Sequence, residues 1–359
     1  MNFLVVSDRE YKKTSRGIDI ITSYLADKGH NIDHLVFFKR NIIPEKKISD
    51  HINQLYFYDP IKIYRSRLQF LFPGFLLLSY FKYMIRRQSS VNFNKYDYVI
   101  LEGGHPIYLA EEIETKIIYR QSDPINICFN SNRNFYKKLE EKVINKSFLI
   151  TSALENVTVP KNFMGKIFYW HSGFIPFERV ISAGEEKSII VMGGEIDWNL
   201  LKKLAKKYSN YQFNVIGITN FLPIPKNIKI KGYMDFESYK NILSSAITVI
   251  IPFSNNYIKH LHQVYYTAKI LISMNLGLPI LLRGYGNFKN TDTDKKLFVY
   301  NSKKDAIPIF DNIIKNIENE EIDINVKKET RTFLFPHTVE NRIKELDKFF
   351  KPVFENSNE

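Results

Sequence analysis

Residues 227–256 read NIKIKGYMDFESYKNILSSAITVIIPFSNN, and residues 265–287 read YYTAKILISMNLGLPILLRGYGN. The first part predicts a strand that turns at Gly232, a helix with apolar positions at helical spacing, and a buried strand Ile247–Pro252. The second part predicts a helix that begins near Thr267 and stops at GLP before another apolar strand, because glycine and proline end helices. Strands alternating with helices in this way indicate a parallel α/β sheet.

The second predicted helix opens with Thr267, Ala268 and Lys269. A cation in the first turn gains nothing from the helix dipole, which favours negative charge at that end. Lys269 is explained if an anion such as a phosphate binds at the N-terminus of the helix. The alternative is a solvated surface lysine, which is the common state of lysines. The pattern favours a nucleotide diphosphate site at the carboxyl side of the sheet.

Composition favours well-built cores and not disorder. Its 359 residues suggest more than one domain, and 44% of them are hydrophobic. Cys128 is the single cysteine, which excludes an intramolecular disulfide or a cysteine metal cluster and fits a reducing compartment. The start NFLVVS reads as a strand, so we expect no leader, and no apolar run reaches the roughly 18 residues of a membrane span.

The net charge of +13 calls for an acidic partner such as phosphates, nucleic acid or anionic lipid. Ile61–Gln88 is basic and aromatic and lacks acidic residues, which suits a surface lying against an anionic membrane. A buried helix with basic ends explains the segment equally well, and Pro73-Gly74 argues against one continuous helix. The proposed surface consists of Lys62, Arg65, Arg67, Phe70, Phe72, Phe75, Lys82, Arg86 and Arg87.

The alternation of strands and helices extends over the whole chain. The first half is predicted to hold strands Phe3–Ser7, Asn31–Phe38, Tyr96–Leu101, Lys116–Tyr119 and Phe148–Ser152, and helices Asp19–Lys28, Ser131–Asn145 and one that ends near Glu112. The second half restarts with strand Ser188–Met192, helix Asp197–Lys207 and strand Gln212–Gly217. We therefore predict two doubly wound, Rossmann-like domains at 1–170 and 188–330, a linker at 171–187, and a C-terminal helix within 331–359 that returns to the first domain.

Asp123 ends the predicted strand KIIYRQSD and precedes Pro124. A carboxylate at the carboxyl end of a strand can take a proton from an attacking hydroxyl. The alternative is a turn, because Asp-Pro pairs commonly start turns. Glu102 ends the neighbouring strand and is the rival candidate for the same role.

The remaining motifs are weaker. Gly193-Gly194 follows a strand and would let the backbone approach a phosphate or a sugar closely, but it is not a GxGxxG fingerprint. Asp292-Thr293-Asp294 resembles a metal-binding DxD motif, although its polar surroundings favour a solvated loop. His260 and His262 lie near the candidate nucleotide site without the pattern of a metal centre.

The chain resembles the GT-B glycosyltransferases, and among them the family of the inverting β-glucuronosyltransferase of xanthan biosynthesis. The resemblance runs from the first strand to about Asn287 and rests on the order and spacing of short anchors. These are YRQSD followed by a helix and FLITSA, then IVMGGEID and FNVIG, then KGYM, IPFS, YYTAKILI and GLP.

The resemblance implies a role for several residues. The aspartate matching Asp123 is the catalytic base of that family, the lysine matching Lys269 contacts the donor diphosphate, and the aromatic residue matching Phe253 lies beside the nucleotide. Thr267, Ala268, Gly193, Gly194 and Tyr233 fall in the same nucleotide-sugar pocket. The amino-terminal domain of the family docks on the membrane through an apolar and basic surface.

This chain departs from the family at several pocket positions. Gly194 stands where the family has a methionine, Tyr233 where it has a glutamate, and Ile272 where it has a glutamine. Ile175 stands where the interdomain loop of the family has an aspartate. The resemblance therefore predicts fold and reaction type better than it predicts the donor sugar.

Together these features predict a metal-independent, inverting glycosyltransferase without a cofactor. It would move a sugar, with glucuronic acid as a candidate, from a UDP-sugar to a lipid-linked saccharide of a capsule or exopolysaccharide. We expect it in the cytoplasm, on the inner face of a bacterial plasma membrane, and not on nucleic acid. The alternatives are a UDP-sugar 2-epimerase of the same fold, a non-enzymatic basic protein that binds nucleic acid or membranes, and an inactive scaffold.

Overall fold

The structure of the protein is a computed structural model. It describes residues 1–13, 16–39, 43–59, 73–87, 92–128, 133–154, 159, 163–179, 188–218, 223–258, 266–286, 288–319 and 326–355. The chain forms two compact units. The first comprises Met1–Ser172 and Arg342–Glu359, and the second comprises Gly173–Asn341.

The first unit is built on an eight-stranded sheet of order β3-β4-β2-β1-β5-β6-β7-β8 within the described residues. Neighbouring strands pair in parallel, except that β3 runs antiparallel to β4. The strands are β1 (Asn2–Ser7), β2 (Asn31–Lys39), β3 (Lys46–Lys47), β4 (Ile52–Tyr58), β5 (Tyr98–Glu102), β6 (Lys116–Gln121), β7 (Ser147–Ser152) and β8 (Lys166–Tyr169).

The second unit is built on a six-stranded parallel sheet of order β11-β10-β9-β12-β13-β14 within the described residues. Its strands are β9 (Ser188–Met192), β10 (Gln212–Ile216), β11 (Ile228–Gly232), β12 (Ala246–Ile251), β13 (Ile280–Arg283) and β14 (Leu297–Tyr300). The central strands are buried along their length and rich in isoleucine and valine, as expected of strands covered on both faces.

Helices connect the strands of both sheets. Those of the first unit are α1 (Gly17–Asp27), α2 (Gly74–Arg87), α3 (Ile125–Cys128) and α4 (Arg133–Lys146). Those of the second are α5 (Trp198–Lys207), α6 (Phe236–Ser244), α7 (Asn255–Ile258), α8 (Ala268–Asn275), α9 (Lys303–Glu318) and α10 (Lys328–Leu334), and α11 (Val339–Glu355) follows. Among the described helices, none combines the length and the apolar composition needed to cross a membrane.

The predicted α/β alternation is confirmed, with strand and helix ends displaced by a few residues. The turn after β11 falls at Gly232, whose φ of 66° lies in the left-handed region that glycine adopts without strain. Thr267 is the residue before α8, as the sequence predicts. The segment expected as a helix up to Glu112 is instead a 3-10 helix, His105–Glu111, with Pro106 in its first turn.

The predicted linker differs from the observed unit boundary. Its described part from Gly173 to Arg179 packs with the second unit, because Asn275 donates to the Phe177 carbonyl at 2.9 Å and Arg179 donates to the Ser244 carbonyl at 3.1 Å. The backbone of Phe174 exchanges two hydrogen bonds with His337 and Val339. The second unit therefore runs from 173 to 341, beyond the predicted 188–330 on both sides.

Most of α11 belongs to the first unit. Its buried face includes Leu346, Phe349 and Phe350, and Phe350 stacks on Tyr24 of α1 with ring centroids 5.6 Å apart. Tyr24 also donates to the carboxylate of Asp347 at 2.8 Å. The first unit is thus completed by a segment that lies after the second unit in the sequence.

The burial of His34 in the first sheet can be tested through its effect on stability at different pH values. It lies in β2 and is fully buried, and one ring nitrogen lies 3.1 Å from the carbonyl of Arg9. Burial lowers the pKa of His34 from 6.5 to about 4. The unfolded chain therefore takes up a proton as the pH falls below 6.5, whereas the folded chain does so only near 4, so folded-state stability is lost across that interval.

We expect His34 to lower the free energy of unfolding by about 2 kcal/mol between pH 7 and pH 5. His34→Gln keeps an amide donor for the Arg9 carbonyl and should lose this part of the pH dependence. Urea unfolding of both proteins at the two pH values measures it. Equal pH dependence in the two proteins would show that His34 titrates normally in the fold.

Candidate functional site

The second sheet has its switch point between β9 and β12. From this pair the chain proceeds outward in opposite directions, to β10 and β11 on one side and to β13 and β14 on the other. Ligands of open α/β sheets bind outside the carboxyl ends of the strands at such a point. The loops after β9 and β12 are joined there, since Asp197 N donates to the Pro252 carbonyl at 2.7 Å and Ser254 N donates to the Glu195 carbonyl at 3.0 Å.

Gly193, Gly194 and Phe253 come together at this switch point. Phe253 is 3% exposed, and its ring lies 5.1 Å from the ring of Tyr257. A Cβ atom on Gly194 would lie 2.9 Å from the hydroxyl oxygen of Tyr257. The close approach of Tyr257 therefore gives a structural reason for a glycine at position 194, in addition to the predicted approach of a ligand. Phe253 packs against the same tyrosine.

Thr267, Ala268 and Lys269 begin α8 after the β12 strand. Thr267 makes no capping hydrogen bond through its side chain, and its hydroxyl oxygen is buried without a hydrogen-bond partner among the described residues. Lys269 lies in the first turn, as the sequence predicts. Ile272, at the position where the resembled family has a glutamine, is 4% exposed and belongs to the core.

Tyr233 lies farther along the same edge. It follows β11, two strands from β9, and its side chain is 75% exposed. It stands apart from the Gly194–Tyr257 contact but at the same end of the parallel strands.

In the first unit, Asp123 follows β6 and is exposed. Its rival Glu102 ends β5 and is only 9% exposed, and it accepts a hydrogen bond of 2.5 Å from the Ser7 hydroxyl. Burial raises the pKa of Glu102, with opposing contributions from Arg16 and Ser7. Asp123 is therefore the more accessible of the two carboxylates.

Arg120 is a buried cation near the carboxyl end of β6, three residues before Asp123. It is 2% exposed and donates to the Trp170 carbonyl at 2.7 Å and to the Thr151 hydroxyl at 3.2 Å. Burial lowers the pKa of Arg120 to about 10, while the charges of Glu102 and Asp123 act in the opposite direction. Nothing in the sequence singled out Arg120 beyond its place in YRQSD.

The switch point of the first sheet lies between β1 and β5. Asp8 follows β1 and His105 follows β5, and the imidazole Nδ1 of His105 lies 2.8 Å from a carboxylate oxygen of Asp8. This pair joins the two loops at the switch point, one strand away from Asp123.

The predicted membrane surface is described only in part. Lys62, Arg65, Arg67, Phe70 and Phe72 lie outside the described residues. In α2, Phe75 is 62% exposed, and the helix ends with Arg86 and Arg87. Arg87 donates to the Tyr83 hydroxyl at 2.9 Å, which leaves an aromatic and basic face on this helix.

Lys82 of α2, which the sequence assigns to the membrane surface, is paired with carboxylates of the same unit. Its ammonium lies 2.5 Å from a carboxylate oxygen of Glu111 and 3.8 Å from one of Glu112. Hydrogen bonds from Lys142 and Lys82 lower the pKa of Glu111 to about 2. These carboxylates pair with Lys82 within the protein, and its assignment to the membrane-facing set stays a prediction.

The DxD-like motif is held by lysines. Asp292 pairs with Lys295 at 2.5 Å, and Asp294 pairs with Lys327 at 2.8 Å. Among the described residues no group of three or more His, Cys, Asp or Glu side chains could hold a metal ion, and His260 and His262 lie outside them.

Sequence reasoning missed a polar cluster at the switch point of the second sheet. Asp197 caps α5 by accepting from Leu200 N at 3.1 Å, and it pairs with Lys303 of α9 at 2.7 Å. Arg283 ends β13, and Asn255 begins α7. A signal was present in LPILLR, where a cation ends an apolar strand, the same kind of position that singled out Asp123.

The two α/β units, each with polar residues at the carboxyl ends of its parallel strands, have the fold of solved GT-B glycosyltransferases. No protein-family model matches the chain, and no curated protein matches its sequence.

Solved structures show the similarity of fold. Sucrose-phosphate synthase from Thermosynechococcus elongatus is 12% identical over 99% of both chains, with a TM-score of 0.66. Anabaena HepE, solved with UDP and glucose, is 9% identical over 98% of this chain and 100% of its own, with a TM-score of 0.64. T4 phage BGT, solved with its substrate UDP-glucose, is 13% identical over 97% of this chain and 99% of its own, with a TM-score of 0.52. The predicted fold class is confirmed, and the finer resemblance to the xanthan family stays a prediction.

Proposed function

We propose that the protein is a glycosyltransferase that uses a UDP-sugar donor. The observation that carries the proposal is the gathering of Gly193, Gly194 and Phe253 at the switch point of the second sheet, in a chain with the GT-B fold. HepE was solved with UDP and glucose and T4 phage BGT with UDP-glucose, which supports this choice of donor.

In this proposal the second unit binds the nucleotide. The ammonium of Lys269 and the amide groups at the start of α8 would stabilise the diphosphate as it departs, through fixed electrostatics rather than a bound metal. Asp123 would take the proton from the acceptor hydroxyl while that oxygen attacks the anomeric carbon. A single displacement of this kind inverts the anomeric configuration.

The acceptor side of the proposal rests on α2 and on the sequence resemblance. The exposed Phe75, the Tyr83–Arg87 pair and the terminal Arg86 suit a surface that meets anionic lipid headgroups. A lipid-linked saccharide on the inner face of a bacterial plasma membrane would then be within reach of the first unit. Capsule or exopolysaccharide synthesis and a glucuronic acid donor belong to this proposal.

Lys269→Ala should weaken UDP binding about tenfold, the loss of one charge-assisted contact with a phosphate. Calorimetric titration of UDP measures this, with Lys229→Ala as the control, since Lys229 is an exposed lysine of the same unit. Unchanged affinity in Lys269→Ala would remove its proposed role, and no binding of UDP to the wild type would contradict the choice of donor.

Asp123→Asn should lower turnover of the best-bound UDP-sugar at least 100-fold, because it removes the proton acceptor. Release of UDP measures turnover, and UDP affinity should be unchanged, since we place the nucleotide on the second unit. Glu114→Gln replaces another exposed carboxylate of the first unit and should have normal turnover. Normal turnover in Asp123→Asn would assign the base to another residue.

Phe75→Ser should reduce binding to vesicles of anionic phospholipid several-fold, because it removes an exposed ring from the proposed surface. Sedimentation with vesicles measures this, and neutral vesicles should bind the wild type weakly. Met164→Ser is the matched control, since Met164 is a 95% exposed apolar residue of the same unit outside α2. Equal losses in both variants would show that α2 is not a specific membrane surface.

A further inference from the structure

A polar cavity of about 270 Å³ opens at the switch point of the second sheet. It is lined by Ile196, Asp197, Trp198, Asn199, Ser254, Asn255 and Lys303. These residues follow β9, β12 and β14, so the cavity lies at the carboxyl ends of strands of the parallel sheet. β13 lies between β12 and β14, and Arg283 is its last residue.

The guanidinium of Arg283 is held next to the cavity by Asn255. Its Nη2 donates to Asn255 Oδ1 at 3.3 Å, which is a long hydrogen bond. Its Nε and Nη1 are buried and have no hydrogen-bond partner among the described residues. The guanidinium carbon lies 5.4 Å from the ring centroid of Tyr300, whose buried hydroxyl also lacks a partner there.

Buried polar groups without partners are rare, because each one loses its hydrogen bonds to water. A cluster of them beside a cavity is explained when a ligand supplies the missing acceptor. The charges near the cavity favour an anion: Lys303 is balanced by Asp197 at 2.7 Å, whereas Arg283 has no ion-pair partner within the part of the chain that the structure describes. An oxygen that entered beside Asn255 would replace a weak contact with a charge-assisted one.

We propose that Arg283 binds an anionic group of the ligand, a phosphate of the nucleotide or a carboxylate of its sugar, in the cavity between Asn255 and Lys303. The Asn255 side chain turns aside as the anion reaches the guanidinium. This inference deepens the proposed function, and it rests on that function for the identity of the donor. Arg283 is then a specificity-determining residue of the donor site.

The test titrates pyrophosphate, UDP, UDP-glucose and UDP-glucuronate into the wild type and into Arg283→Met. The variant should lose about 10- to 100-fold in affinity for the anion that Arg283 contacts. A loss for all four ligands identifies a phosphate, and a loss confined to UDP-glucuronate identifies a carboxylate. Equal affinities in both proteins for every ligand would overturn the proposal.

Two further variants keep the result interpretable. Arg331→Met replaces an exposed arginine of the same unit and should bind like the wild type. Asn255→Asp leaves Arg283 in place but gives its guanidinium a carboxylate partner, so it should lose the same affinity even if Arg283→Met fails to fold. Wild-type affinity in Asn255→Asp would count against the proposal.

The same titrations separate this inference from the proposed function. If the wild type binds pyrophosphate through Arg283 but none of the three nucleotides, the anion site stands and the UDP-sugar donor does not. If UDP binds and no ligand responds to Arg283 or Asn255, the donor stands and the anion site does not. Binding of none of the four ligands overturns both.

Discussion

The parallel pairing of strands at the two switch points is the constraint on which the sites depend. β1 pairs with β5, and β9 pairs with β12, each pair in parallel register. Because the two strands of each pair end at the same side of their sheet, the loops that follow them meet there and make polar contacts with one another. The Asp8–His105 pair and the Asp197–Pro252 bond are those contacts. A shift in the register of either strand pair would break the contact between the loops that follow it.

Hydrogen bonds of two buried arginines connect the carboxyl end of β6 to α11. Arg120 donates to the Trp170 carbonyl, the Trp170 indole donates to the Arg342 carbonyl at 2.9 Å, and Arg342 Nε donates to the His171 carbonyl at 3.0 Å. The Nη1 of buried Arg120 has two fixed acceptors, the Trp170 carbonyl and the Thr151 hydroxyl, whereas its buried Nε has no hydrogen-bond partner among the described residues. The end of β6, from which Asp123 projects, is therefore tied to α11 through backbone carbonyls rather than through opposite charges.

Much of the fold was predictable because the spacing of apolar residues and the positions of glycine and proline are local signals. Ser188–Met192 was predicted to the residue, and the Gly232 turn follows from the freedom of glycine. The environment of Lys82 was not predictable, since its partner Glu111 is 29 residues away and only the tertiary fold brings them together. The same holds for the Arg283–Asn255 contact, which joins the end of β13 to the start of α7, 28 residues earlier in the sequence.

The order of elements along the chain has a consequence for synthesis. The second unit is continuous in sequence, from 173 to 341, whereas the first is interrupted by it and is completed only by α11. The sequence of the second unit is therefore complete before that of α11, which carries the hydrogen-bond partners of Tyr24 and Tyr98. The unit that contains the N-terminal residues is therefore the one whose sequence is completed last.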